Sequence, residues 1–174
     1  MLYTLCYPTL SDDDHEFVRS FRREHDLPFR DVVEHHFTIV FGISDIPMQN
    51  YAEHVRTKLL DQRNIDFVCR YAMLGDDAES DDFYVFLTPD EGLSDICRVH
   101  DKLYTGEFEK FHRVEIPYIP HIGIATMPDA GKIQSLCDEL NAGSFSIAGK
   151  LESATICEYD GTKVVDLERV EFET

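Results

Sequence analysis

Two stretches of this 174-residue chain begin the same order of predicted elements. The first begins with His36-Phe-Thr-Ile-Val, and the second begins 85 positions later with His121-Ile-Gly-Ile-Ala. Each stretch starts a strand that is followed by a helix, a second strand, a turn and a further strand. A repeated order of elements indicates an internal duplication. A duplication would place the two strands, and the histidines that begin them, at equivalent positions about a pseudo-twofold axis.

Hydrophobic periodicity predicts strands and helices along the whole chain. Ser11, followed by three aspartates, is typical of a helix start because a capping side chain and an acidic first turn stabilise that end. The predicted strands are 2–7, 32–41, 65–74, 83–87, 118–125, 145–157 and 163–172. The predicted helices run from 11 to about 26, from 47 onward, over 90–104 and over 128–140. An acidic hairpin turn is predicted at 75–82, and a loop at 105–117.

Charge limits the partners of this chain. It carries 34 acidic and 16 basic residues, and its formal net charge is −18. Duplex nucleic acid and anionic membranes are bound by basic surfaces, so we expect neither as a partner. A small phosphate-containing ligand, held by a few local donors, is compatible with this charge. The apolar fraction of 43% is enough to form a hydrophobic core. We expect the protein to be a monomer.

The sequence gives no sign of export, metal binding or a nucleotide cofactor. The N-terminal residues are a strand-like run with neither a basic leader nor a long apolar stretch, so we expect a cytoplasmic protein. Five cysteines are scattered without a CxxC pair, which is typical of reduced residues in or near a core. The chain contains no HExxH, G-x-G-x-x-G, P-loop or G-x-S-x-G pattern. We therefore expect no metal and no cofactor.

The histidines that begin the repeated stretches are the best candidates for chemistry. Alternate side chains of a strand share a face, so His36 and Thr38 point to one side while Phe37 points to the other. The same alternation aligns His121 with Gly123. One such histidine alone would be interpreted as a packed core or edge residue, but two at matching points of a repeat favour a shared site.

The other histidines are predicted to have lesser roles. His35 would face the core, because its neighbours on the same face are apolar. His112 lies in the predicted loop and is ambiguous. Four more are expected on solvated helix surfaces: His15, His25, His54 and His100.

His36-Phe-Thr-Ile and Pro120-His121-Ile-Gly-Ile-Ala resemble the paired His-x-Thr/Ser-x motifs of the 2H phosphoesterase superfamily. This group includes 2′-5′ RNA ligase-like proteins and cyclic nucleotide phosphodiesterases. The resemblance extends over essentially the whole chain in motif order, spacing and length. It implies a bilobal α+β fold, in which two antiparallel sheets with flanking helices face each other across a cleft. The implied organisation is one domain, residues 1–174, with repeat lobes that contribute motifs at about 30–89 and 115–174.

The resemblance implies opening or closing of a phosphodiester at a ribose 2′ oxygen, usually without a metal. The implied substrates are a 2′,3′-cyclic phosphate, an ADP-ribose cyclic phosphate or a 2′-5′ phosphodiester. The residues suit this chemistry, because two imidazoles on opposite sides of a phosphate can activate water and protonate the leaving oxygen. The Thr38 hydroxyl would stabilise charge on the phosphate oxygens. The predicted catalytic residues are His36, Thr38 and His121, with the roles of acid and base left open.

Gly123 departs from the superfamily pattern, which has Thr or Ser at this position. Loss of one preorganised donor typically costs on the order of 10²–10³ in rate. A second hypothesis is therefore a nucleotide- or RNA-end-binding module with weakened catalysis. A third is a structural or interaction protein whose histidines only pack.

Three residues are predicted to bind substrate. Gly123 would give a bulky ligand group close access to the backbone. Tyr118 would stack on a base or donate to phosphate, with core packing as the alternative. Arg113, together with Lys110 and His112, would supply positive charge at the mouth of the cleft, with a solvated loop as the alternative.

Overall fold

A computed structural model describes residues 1–76 and 80–174, which form nine strands and four α-helices. The strands are β1 (Leu2–Cys6), β2 (Thr9–Leu10), β3 (Phe37–Ile43), β4 (Ile65–Asp76), β5 (Phe83–Glu91), β6 (Ile122–Met127), β7 (Ile147–Leu151), β8 (Ser153–Tyr159) and β9 (Val164–Glu171). The helices are α1 (Asp12–His25), α2 (Met48–Leu59), α3 (Leu93–Leu103) and α4 (Ala130–Ala142), and a 3-10 helix spans Gly106–Phe111. The predicted turn at 75–82 includes residues 77–79, which lie outside the described residues.

The described strands form one antiparallel sheet, where two sheets were predicted. Its order is β2-β7-β4-β5-β6-β3-β1-β8-β9. The first five strands and the last four are joined where β3 pairs with β6, through the single register pair Phe37 and Ile122. This backbone pairing makes the sheet continuous, so the two histidine strands are direct neighbours rather than the edges of separate sheets.

The sheet is strongly curled. Strands β7 and β8 lie near opposite ends of the strand order, yet only Glu152 separates them in the chain. Likewise, only Tyr7 and Pro8 separate β1 from β2. Because a strand advances about 3.3 Å per residue, the two ends of the sheet must approach each other at these points. The sequence predicted 145–157 as a single strand, and that run instead changes partners at Glu152.

Local interactions explain where α1 and β3 begin. The Ser11 hydroxyl accepts a hydrogen bond from the Asp14 N–H at 3.2 Å, which caps α1 as predicted. At the other end of α1, the Asp26 carbonyl accepts from the N–H groups of Phe29 and Arg30. These turn contacts bend the chain before β3, so this strand begins at Phe37 and not near residue 32.

The core lies on one face of the sheet at the β3–β6 junction. Phe37, Ile122 and Leu87 occupy neighbouring positions of β3, β6 and β5, and all three are fully buried. The residues that alternate with them, including both histidines, therefore point to the opposite face. All five cysteines are free, and four are buried. Among the helices described, none is long and apolar enough to cross a membrane.

Candidate active site

The two strand histidines lie at the junction of β3 and β6. Each directly precedes a member of the pair Phe37 and Ile122. Continuing that register places His36 opposite Gly123, and Thr38 opposite His121. Opposite residues of an antiparallel pair share a face, so the four motif residues form one cluster on the face away from the core. Residues placed diagonally across an antiparallel pair are about 7–8 Å apart, so the continued register lets the side chains of His36 and His121 reach one ligand.

The two imidazoles are held in the same way. The Nδ1 atom of His36 lies 2.7 Å from the carbonyl oxygen of Glu34, and Nδ1 of His121 lies 2.7 Å from the carbonyl oxygen of Ile119. A carbonyl oxygen only accepts, so Nδ1 carries the proton in both rings. The Nε2 atoms are then the nitrogens that can take or give a proton at a ligand. Both rings are partly exposed to solvent.

Burial keeps both imidazoles neutral. It lowers the pKa of His36 to about 4, against the opposing effect of the bond to Glu34, and the charges of Arg22 and His121 lower it further. Burial also lowers the pKa of His121, which the bond to Ile119 opposes. The influence of His121 on His36 agrees with their diagonal placement. In the free protein near neutral pH, each Nε2 is therefore an available proton acceptor.

The hydroxyl and the glycine of the two motifs leave space for a ligand. Thr38 is partly exposed, and its hydroxyl has no hydrogen-bond partner among the residues that the structure describes. A Cβ placed on Gly123 would have no neighbouring atom within 4 Å. The cluster thus offers two imidazoles, one hydroxyl and an open position where a second hydroxyl would stand.

Tyr118 lies beside the first motif but is already engaged with the protein. Its hydroxyl donates to the carbonyl of Thr38 at 2.9 Å. Its ring stacks on His100, with centroids 3.7 Å apart and planes at 8°. His100 is buried at 3% exposure, so its predicted placement on a solvated surface is wrong. Helical spacing places His100 on the buried apolar face of α3, and the prediction failed because it followed the charged residues beside His100 in the chain.

The described contacts of the predicted basic residues lie within their own loop and near Tyr118. Arg113 is exposed, and its Nε donates to Glu115 within the same loop at 3.3 Å. Lys110 lies over the ring of its neighbour Phe111, with Nζ 4.7 Å from the ring centroid. His112 stacks on Tyr104 at 5.0 Å between centroids. These contacts tie the segment to its own loop and to the Tyr118 region.

The His35 side chain is buried and faces the core, as predicted. It is 5% exposed, and its ring lies 4.8 Å from that of His15, centroid to centroid. Burial lowers its pKa to about 4, and the charges of His15 and Arg22 act in the same direction.

Strand β5 supplies residues to the cluster that the sequence did not identify. Phe86 lies opposite Gly123, and its ring packs on the imidazole of His121 at 4.5 Å between centroids. The register of Leu87 with Ile122 places Thr88 opposite His121. Residues 83–87 of β5 are a continuous apolar and aromatic run, so there was no alternation from which to assign the faces of this strand. Which strand neighbours β6 was likewise not encoded locally.

A buried polar network lies next to the cluster. Arg22 of α1 donates through Nε to Asp26 at 2.9 Å, and the hydroxyl of Thr126 in β6 donates to the other oxygen of Asp26 at 2.8 Å. All three residues are at most 5% exposed. Through Thr126 the network attaches α1 to the strand of the second histidine, and it brings a guanidinium charge close enough to affect His36.

The described residues contain no group of three or more His, Cys, Asp or Glu side chains arranged to hold a metal ion. The motif residues of the cluster supply two imidazoles and the Thr38 hydroxyl. Such a set can transfer protons and stabilise a small anion.

Comparison with known proteins identifies the family. Residues 10–163 match the family model of the 2′-5′ RNA ligase superfamily, and the chain belongs to that superfamily. No curated protein matches the sequence.

Solved structures share the fold at low sequence identity. E. coli LigT complexed with 3′-AMP is 15% identical, with a TM-score of 0.62 over 99% of this chain and 98% of that one. A structure described as a phosphoesterase is 14% identical, with a TM-score of 0.61 over 99% and 98% of the two chains. A Thermus thermophilus protein is 16% identical, with a TM-score of 0.58 over 98% and 97%. The chain thus has a LigT-like mixed α/β fold over nearly its whole length.

Proposed function

We propose that this protein is a metal-independent phosphoesterase that opens a cyclic phosphate, of the 2′,3′-cyclic or ADP-ribose type, by acid and base catalysis with His36 and His121. Cleavage or formation of a 2′-5′ phosphodiester by the same groups belongs to the same proposal. The substrate is a small phosphate compound or an RNA terminus. The protein acts as a monomer in the cytoplasm. The observation that carries this proposal is the matched pair of imidazoles, each fixed through Nδ1 and placed diagonally across one strand junction.

Hydrolysis would proceed in one concerted step. The neutral Nε2 of one histidine removes a proton from water while the water oxygen forms a bond to phosphorus. The bond from phosphorus to a ribose oxygen breaks, and the protonated Nε2 of the other histidine gives that oxygen its proton. The product is a phosphomonoester beside a free hydroxyl. Which histidine is the acid depends on how the substrate lies.

Substrate binding would supply the protonated histidine. In the free protein the pKa values of both histidines are lowered. An anionic phosphate between the rings favours the charged form and raises their pKa values. One proton is therefore taken up with the substrate, and the Thr38 hydroxyl donates to the phosphate oxygen on which charge develops. In this proposal the two halves of the sheet act as pseudo-twofold related lobes around the phosphorus.

The test is turnover of nucleoside 2′,3′-cyclic phosphates in excess EDTA. We expect activity to survive chelation, and His36→Ala and His121→Ala each to lower kcat by at least about 10², the lower range for loss of an acid or base. His25→Ala, a histidine substitution on α1, is the matched control and should retain activity. Loss of turnover in EDTA, or full activity in both active-site variants, would refute the two-histidine mechanism.

A second candidate function rests on Gly123. Because one motif hydroxyl is missing and nothing occupies its place, a nucleotide- or RNA-end-binding module with weakened catalysis is the alternative. It would bind cyclic or terminal phosphates without forming product. Calorimetric titration with a nucleoside 2′,3′-cyclic phosphate, followed by product analysis, separates the two functions. Binding without turnover supports the module, and absence of both at millimolar ligand rejects both functions.

A further inference from the structure

A gap lies over Gly123 in the middle of the candidate site. No atom comes within 4 Å of a Cβ placed on this residue. Phe86 of β5 lies opposite Gly123, and on the other side the register of Phe37 with Ile122 continues to His36, which directly precedes β3. A Thr or Ser at this position, as in the superfamily pattern, would fill the gap. In this chain the space between the imidazole of one strand and the phenyl ring of the other stays open.

The surface next to this gap is apolar and aromatic. Continuing across the sheet, Phe86 lies opposite Met73 of β4, and Thr88 lies opposite Tyr71. Tyr71 is 59% exposed, and the other three are partly exposed. The Thr88 hydroxyl donates to the sulfur of Met73 at 3.3 Å. A thioether is a weak acceptor, so this hydroxyl can serve a better acceptor on a ligand.

The other side of the cluster is closed to a large group. On β1, Leu5 lies opposite Thr38 and is only 2% exposed. Tyr7 lies beside the ring of His36, at 6.2 Å between centroids, and its hydroxyl donates to Asp166 at 2.9 Å. A buried leucine and an engaged tyrosine leave little room, and a carboxylate there repels phosphate. The organic part of a substrate therefore extends over β5 and β4.

Charge favours a short substrate on this surface. None of the described positions Tyr71, Met73, Phe86 and Thr88 is basic, and the ends of β4 and the approach to β5 carry the exposed acids Asp76 and Asp81. A longer nucleic acid would bring further phosphates towards these carboxylates, and Arg70, which precedes Tyr71 on β4, is already paired with Asp90 and Glu91. A nucleobase, by contrast, gains binding energy from an aromatic surface whatever the charge of the protein.

We propose that the gap at Gly123 and the adjoining side chains of Phe86, Met73, Tyr71 and Thr88 form a nucleoside-binding surface. The substrate class is then a mononucleoside cyclic phosphate rather than an RNA terminus. The base lies on the aromatic side of the surface, and Thr88 donates to an oxygen of the sugar. Gly123 is the specificity-determining residue, because its missing side chain admits the nucleoside. This inference rests on the proposed phosphoesterase function.

Three substrates test it by their kcat/KM values. They are adenosine 2′,3′-cyclic phosphate, glycerol 1,2-cyclic phosphate, which has no base, and a short oligoribonucleotide that ends in a 2′,3′-cyclic phosphate. We expect the mononucleoside to exceed the glycerol compound by about tenfold, the lower range for one stacked base. We expect the oligonucleotide to be no better than the mononucleoside. Its kcat/KM should also lack the steep salt dependence of multiple phosphate contacts.

Variants then locate the effect. Gly123→Val fills the gap, and Phe86→Leu and Tyr71→Ser remove aromatic rings; each should lower the ratio of mononucleoside to glycerol kcat/KM, by up to about tenfold. Tyr71→Ser changes an exposed side chain, so it remains informative if the other variants fold poorly. Phe17→Leu, on the outer part of α1, is the matched control and should leave the ratio unchanged.

Two results would overturn this inference while the proposed function stands. One is equal kcat/KM for the mononucleoside and glycerol substrates. The other is an oligonucleotide preference of tenfold or more that is lost at high salt. Failure of the proposed function is different, because it would abolish turnover of all three substrates.

Discussion

Removing the Tyr118 hydroxyl tests whether the placement of Thr38 matters for catalysis. In Tyr118→Phe the bond from this hydroxyl to the Thr38 carbonyl, 2.9 Å long, is lost. A neutral hydrogen bond contributes about 0.5–1.5 kcal/mol to stability, which corresponds to roughly 2–4 °C in Tm per kcal/mol for a chain of this size. A displacement of a catalytic group by about 1 Å can cost on the order of 10² in rate. We expect kcat to fall about tenfold, since Thr38 keeps its strand contacts to β1.

The chain offers a matched control on the same strand. The Tyr104 hydroxyl accepts from the N–H of Phe41 at 3.0 Å, three residues beyond Thr38. Tyr104→Phe therefore removes a similar bond from β3 without touching the catalytic threonine. Thermal unfolding and steady-state hydrolysis of a cyclic phosphate should show similar Tm losses in the two variants, with a lower kcat only in Tyr118→Phe. Equal kcat losses, or an unchanged kcat in Tyr118→Phe, would refute this reasoning.

Three further predictions follow from the site and its surroundings. Thr38→Val should lower kcat by about 10²–10³ with little change in Tm, because its hydroxyl bonds to no described residue; a rate loss below threefold contradicts this. Because the pKa of both active-site histidines is lowered from 6.5, kcat/KM should fall about tenfold per pH unit above neutrality as the protonated acid disappears; a flat profile there would count against it. The His35 pKa is about 4 in the folded chain against an ordinary value of 6.5, so its contribution to stability is complete above pH 6.5 and is lost as the pH falls towards 4. Urea unfolding should show that the free energy of unfolding falls by up to about 3 kcal/mol over this pH range. His35→Leu should reduce this pH-dependent loss. An unchanged pH dependence in that variant would show that His35 does not cause the loss.

Much of the local structure could be predicted because it depends on neighbouring residues. The cap at Ser11 and the alternation around Phe37 and Ile122 are short-range features. Both are as expected. That alternation is enough to put His36 and His121 on the face opposite the core. The catalytic roles of these histidines stay predictions until activity is measured.

The rest depends on long-range pairing, which local patterns do not encode. Glu152 stands in a continuous extended run, and nothing near it indicates that its two sides pair with opposite ends of one sheet. The neighbours of the histidines arise in the same way: Phe86 meets His121 only because β5 pairs with β6. Tyr118 meets Thr38 across 80 positions, so its hydroxyl could not be assigned from sequence.

The most direct test of the two-histidine site is a crystal structure of the protein with a nucleoside 2′-monophosphate, a product of cyclic phosphate opening. We expect phosphate oxygens within about 3 Å of Nε2 of both His36 and His121, with the Thr38 hydroxyl donating to the same group. A phosphate that contacts only one imidazole, or that binds away from the β3–β6 junction, would contradict the account.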